Sequence, residues 1–317
     1  LWNLPSAGRV RQIETSFNGI FSLAFSPDGE MLAAGGGGFS LDGARRNYTP
    51  GLEIFNVGDF RRIAQFGRDL FFVKSLAFSP DKRYLLSTNY ASPPGAVPSS
   101  GLAAVRLWKV DAGFSEVAAF GKGMHAIRCA TFSSDGKLIV FAHAQEATVV
   151  TKLSNSRFGT ASPLQRPAPL IRTWDLERDS ETEPFDLQQG TISGISISPS
   201  GKLLASSGTV LTLWNIPDRV RLVELASASL DFGFTHCVAF SPDGTMLAAG
   251  SGDHFDVGRP WENCGVKLWD TKTGHLKWSL PHQGPVYSLA FSADGSKLVA
   301  GGESDLLLWK LNSFVFS

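Results

Sequence analysis

One phrase governs what this chain can fold into. Ser22-Leu-Ala-Phe-Ser-Pro-Asp-Gly29 returns with small changes at 75–82, 129–136, 194–201, 237–244 and 288–295, six copies in 317 residues. Self-similarity at this spacing makes an array of like units, because one unit alone cannot cover its own apolar faces. After each copy comes a short run such as Met31-Leu-Ala-Ala-Gly-Gly36, then a third run that usually ends in Trp, at 106–108, 172–174, 212–214, 267–269 and 307–309. The first copy has Glu53-Ile-Phe55 at that place. A looser fourth run closes the unit, as in Arg62-Ile-Ala-Gln-Phe66 and His275-Leu-Lys-Trp-Ser-Leu280.

Each run is short, rich in strand formers, and bounded by Gly, Pro, Asp or Ser, with no helical periodicity. Ser-Pro-Asp-Gly is turn chemistry: Pro presets φ, Asp bonds back to the chain, and Gly accepts a positive φ. Each unit therefore reads as a four-stranded antiparallel sheet, with strands a, b, c and d in chain order. Within strand a the bulky column is Leu23 and Phe25, Leu76 and Phe78, Ala130 and Phe132, Ile195 and Ile197, Val238 and Phe240, and Leu289 and Phe291. The intervening positions are small, among them Ala24, Cys129, Ser196 and Cys237. Bulky faces can nest on small ones between neighbouring sheets, each large side chain contributing about 1.5–3 kcal/mol when buried. A lone sheet of this size is marginal, and a closed series of them buries every face.

The a-strand phrase and the Leu268-Trp269-Asp270 ending resemble the WD-repeat family of β-propellers, over nearly the whole chain. The resemblance implies an all-β fold, a β-propeller of four-stranded antiparallel blades. The family's histidine before strand a is clear at His282, and its b–c aspartate has no clean equivalent in most units. Packing rather than that hydrogen-bond network is expected to hold the blades. Leu1-Trp-Asn-Leu4 looks like a strand c and Val10–Phe17 like the strand d after it, while Phe314–Phe316 begins the last strand d. The tally is six units plus half a seventh, so we expect a single domain over 1–317, excerpted from a longer, seven-bladed protein.

The surplus residues fall mainly between strands b and c, at roughly 37–50, 90–102, 144–168 and 252–264, all on one rim of such a fold. Loops of this length inside a compact domain are usually functional or disordered. The first carries Arg45, Arg46 and Tyr48, and the last carries Trp261, residue types enriched at interface hot spots. A second feature sits at the same rim. Four residues before the aligned aromatic of strand a the occupants are Phe21, Lys74, Arg128, Ser193, His236 and Tyr287, an unrelated set in an otherwise apolar column. A position released from packing is suited to meeting a partner, and this entry region of strand a commonly contributes to binding in the resembled family.

Lys and Arg number 29 against 29 Asp and Glu, so no net charge draws the chain to nucleic acid or to an anionic membrane. No stretch approaches the ~18 apolar residues of a spanning helix. Three cysteines, none spaced as C-x-x-C, make no disulfide framework. No G-x-S-x-G, H-E-x-x-H, P-loop or Rossmann pattern is present, and the Gly35–Gly38 run follows a strand and opens no helix. Asp253, His254 and Asp256 read as a solvated loop rather than metal ligands. The expectation is a non-catalytic interaction module without cofactor, docking a protein, a peptide or another domain of its own chain. The contact residues would be Phe21, Arg45, Arg46, Tyr48, Lys74, Arg128, His236, Trp261 and Tyr287. The alternatives are the propeller domain of a larger enzyme and a lectin-like site in one loop cluster.

Overall fold

Side chains as well as backbone close the repeated Ser-Pro-Asp-Gly turn. Ser26 Oγ donates to Asp28 Oδ1 at 2.5 Å and accepts the Met31 N–H at 2.9 Å, while the same Oδ1 accepts the Glu30 N–H at 3.2 Å. The serine–aspartate bond recurs at Ser79–Asp81, Ser133–Asp135, Ser241–Asp243 and Ser292–Asp294, at 2.5–2.6 Å. In the fourth repeat Ser200 replaces the aspartate and the pair with Ser198 lengthens to 3.1 Å. Gly29, Gly136, Gly201, Gly244 and Gly295 hold φ of 69–75° there.

The second repeat has Lys82 at this place, with φ 63°, and its ammonium bonds the Asp28 carboxylate of the preceding turn. A side chain in that conformation costs about 1 kcal/mol relative to glycine. Lys82→Ala keeps the strain and loses the ion pair, whereas Lys82→Gly loses both. The glycine variant should therefore be about 1 kcal/mol more stable than the alanine variant in urea unfolding. Equal stabilities would show that the turn is not strained.

The turn carboxylates are held low. The Ser133, Ser241 and Ser292 hydroxyls depress Asp135, Asp243 and Asp294, the last to about 2. A carboxyl lowered in the folded chain stabilises it above its ordinary value of about 4 and loses that contribution as pH falls through the folded value. The melting temperature is thus expected to fall between pH 4 and about 2. Asp294→Asn should make that fall shallower in calorimetric scans.

The computed structural model describes residues 2–3, 8–9, 12–37, 39–42, 45–48, 51–67, 70–90, 105–111, 113–120, 127–143, 170–185, 191–227, 234–252, 264–302 and 305–311. Contacts divide the chain into residues 1–123 and 124–317. In the first unit, blade 1 consists of Gly19–Phe25, Met31–Gly37, Leu52–Asn56 and Arg62–Phe66, antiparallel and adjacent in chain order. Blade 2 consists of Phe71–Phe78, Tyr84–Tyr90, Val105–Lys109 and Ser115–Phe120. In the second unit, blade 3 has Ile127–Phe132, Leu138–His143, Leu170–Asp175 and Ser180–Glu181. Blade 4 has Ile192–Ile197, Leu203–Gly208, Val210–Asn215 and Val220–Ser227. Blade 5 has Thr235–Phe240, Met246–Ser251, Gly265–Asp270 and Leu276–Pro281. Blade 6 shows strands a to c, Ser288–Phe291, Lys297–Gly301 and Leu306–Lys310. The expected all-β, β-propeller class is met; the d strand expected at Phe314 lies outside the described residues.

The amino-terminal expectation needs correcting. Trp2–Asn3 pairs with Gly8–Arg9, and residues 12–17 join no strand. Ile13 and Phe17 pack on Leu32, Ala34 and Phe55, and the Ser16 N–H goes to the Glu53 carboxylate instead of a strand neighbour. Glu53 is fully buried and also accepts from Arg62 Nη1 at 2.5 Å. The same c–d crossing carries the reversed pairs Arg106–Glu116 at 2.8 Å and Arg172–Glu181 at 2.6 Å.

Blades pack through the bulky column. Leu76 and Phe78 of blade 2 seat on Ala33, Leu52 and Ile54 of blade 1, and Phe240 of blade 5 joins Ala205, Leu211 and Leu213 of blade 4. Gly35 permits the first of these approaches, since a Cβ there would lie 2.6 Å from Val73. Blade 1 leaves its own column uncovered: Leu23 is 58% and Phe25 52% exposed, against 8% and 9% for Leu76 and Phe78. In blade 6, Leu306 and Leu308 are exposed where Leu52 and Ile54 are buried in blade 1. Packing is not the whole of it. Trp108 and Trp214 Nε1 donate to Ser87 and Ser206 Oγ at 2.9 Å, and His282 Nε2 lies 3.3 Å from Asp305. Blades 2 and 4 thus add a buried tryptophan–serine hydrogen bond to the packing, and blade 6 a close histidine–aspartate approach.

Candidate partner-binding surface

The variable position of strand a is a β-bulge. In blade 1, Ile20 faces Gly36 and Ser22 faces Gly35, so Phe21 is an extra residue without a partner in the register. The same one-residue excess falls on Lys74, Arg128, Ser193 and His236. In blade 6 the Tyr287 N–H bonds the Gly301 carbonyl, which also faces Ser288. A bulge re-aims one side chain out of the pleat, which accounts for the freedom of this column. It lies at the end of each blade from which the b–c connection leaves.

Neighbouring bulge residues touch. In the first unit the Lys74 ammonium sits 3.8 Å from the centre of the Phe21 ring, and Phe21 meets Phe72 edge-on at 5.8 Å. In the second unit Ser193 Oγ donates to the Thr235 carbonyl at 2.5 Å. His236 Nε2 donates to the Gly252 carbonyl at 2.9 Å, and its ring stands between Phe234 at 5.1 Å and Tyr287 at 5.0 Å. Phe21, Arg128 and Tyr287 are exposed, and Lys74 and His236 are half-buried.

Sequence reasoning had missed Phe72 and Phe234, aromatics two residues before Lys74 and His236, a spacing visible in the chain. Residues 37–50, expected as a loop, contain two strands. Phe39–Asp42 and Arg45–Tyr48 pair there as a two-stranded hairpin, with Phe39 opposite Tyr48 and Asp42 opposite Arg45. Arg45, Arg46 and Tyr48 therefore lie on one strand at the b–c end of blade 1. Trp261 lies outside the described residues, as do Asp253, His254 and Asp256.

Cys129 and Cys237 sit in the small column as expected, and burial pushes both thiols up to about 12, far from nucleophilic use. Among the described residues no three His, Cys, Asp or Glu side chains group as metal ligands. No described helix is long and apolar enough to cross a membrane.

Blades that repeat turn, bulge and c-strand aromatic position for position define a propeller-type repeat protein. The WD domain, G-beta repeat model matches residues 9–43, 233–270 and 274–310, so these stretches are WD repeats. It is similar to the small ribosomal subunit protein RACK1z of Oryza sativa subsp. japonica, 30% identical over 40% of this chain and 37% of that one. Protein HIR1 of Phaeosphaeria nodorum is 29% identical over 42% of this chain and 13% of its own. Human apoptotic protease-activating factor 1 is 26% identical over 42% and 10%. The matched stretches span well under half the length of these relatives.

Proposed function

We propose that the chain is a non-catalytic interaction module that docks a protein partner on the b–c end of its blades. The observation that carries this reading is the bulge at the start of strand a in blades 1 to 5, with Tyr287 at the equivalent place before strand a of blade 6. It turns one side chain per blade away from the core, and the occupants, Phe21, Lys74, Arg128, Ser193, His236 and Tyr287, share no structural requirement. Contacts of Lys74 with Phe21 in the first unit and of His236 with Tyr287 in the second hold these side chains in place before any partner arrives, which lowers the ordering cost of binding. The hairpin bearing Arg45, Arg46 and Tyr48 adds to the same end of blade 1. A similar protein that is by name part of the small ribosomal subunit fits a module of assemblies.

The test is affinity capture with the chain as bait, followed by direct binding of the recovered partner. Arg128→Glu with Tyr287→Ala should lower that binding at least tenfold. Lys202→Glu, beside the a–b turn of blade 4 at the opposite end, should leave it unchanged. Equal binding by all three proteins would overturn the assignment.

A further inference from the structure

We propose that the bulge residues of blades 3 to 6 form a subsite for an acidic peptide segment, one bearing a carboxylate or phosphate beside an apolar side chain. This rests on the b–c end being the docking surface. The first argument is charge. In a chain with 29 basic and 29 acidic residues, the six bulge positions hold two permanent cations and no carboxylate. In the second unit the occupants run Arg128, Ser193, His236 and Tyr287, and each strand a borders the next. Arg128 is exposed, and a guanidinium offers a carboxylate or phosphate two parallel hydrogen bonds.

The second argument is order. Ser193 is tied to the Thr235 carbonyl and His236 to the Gly252 carbonyl, so this part of the surface is set before binding. The tilted, edge-on cluster of Phe234, His236 and Tyr287 gives an apolar side chain a platform beside the charge. Asp305, the carboxylate in the short b–c turn of blade 6, has His282 Nε2 3.3 Å away. Blade 2 repeats the chemistry in the first unit, with Lys74 over Phe21 and Phe72 alongside. A neutral segment would desolvate Arg128 without compensation, and a basic one would face like charge.

A random dodecapeptide display library selected on the immobilised chain tests this. Asp and Glu should rise at least twofold over the input library in the enriched pool. Selection on Arg128→Glu should lose that excess, with its melting temperature confirming the fold. A selected peptide should bind Tyr287→Ala at least fivefold more weakly. Replacing its key acid by phosphoserine decides the source: tighter binding marks phosphate, looser binding carboxylate, and either supports the subsite. Enrichment without acidic excess that Tyr287→Ala abolishes overturns the anionic class while leaving the docking end in place. Peptides insensitive to both substitutions overturn the subsite and the docking end together, and a pool with no enrichment overturns the subsite.

Discussion

Phe78→Ala is expected to lower stability by about 3–5 kcal/mol, while Phe25→Ala, the same position of the same phrase, costs under about 1 kcal/mol. Phe78 is 9% exposed and packs with Ala33, Leu52, Ile54 and Leu85, so removing its ring opens a cavity that two blades must absorb. Phe25 is 52% exposed and leaves water behind. Urea unfolding followed by tryptophan fluorescence distinguishes the two. Similar losses at both positions would mean that the bulky column is not buried by the preceding blade. The Leu76→Ala and Leu23→Ala pair should split the same way, since their exposures are 8% and 58%.

Arg62→Met is expected to cost about 3 kcal/mol, and adding Glu53→Gln to recover most of it. Glu53 has no exposed surface and depends on Arg62 and the Ser16 N–H. Removing the guanidinium strands a carboxylate in the core of blade 1, whereas glutamine still accepts from Ser16 without a charge to desolvate. A double-mutant cycle in urea measures the coupling. Additive effects would show that the ion pair is a surface decoration. Because Glu53 also takes the Ser16 N–H of the 12–17 segment, Glu53→Ala should raise amide exchange at Ser16 well before global unfolding.

Much of this fold was legible because the repeat ties local signals to long-range order. Ser26, Asp28 and Gly29 announce a turn by residue type alone, and the apolar runs ending at Phe25 and starting at Met31 announce the strands on either side. Where the repeat thins, sequence reasoning faltered. Val10–Phe17 has strand-like composition, yet Ile13 and Phe17 are used as anchors onto blade 1, which only the packed structure reveals. The bulge was half-legible: variation from Phe21 to Tyr287 marked the position, but an inserted residue leaves no chemical signature. His282 and Asp305 are 23 residues apart in the chain, and only the strands between them bring the two together.

Because the extra residue in strand a sits outside the ladder, its identity is coupled to folding only through contacts such as Ser193 to the Thr235 carbonyl and His236 to the Gly252 carbonyl. Exchanging the exposed occupants Phe21, Arg128 and Tyr287 should alter what the chain recognises at a modest cost in melting temperature. Such a scaffold can drift to new ligands by single codon changes, without first accumulating compensating substitutions.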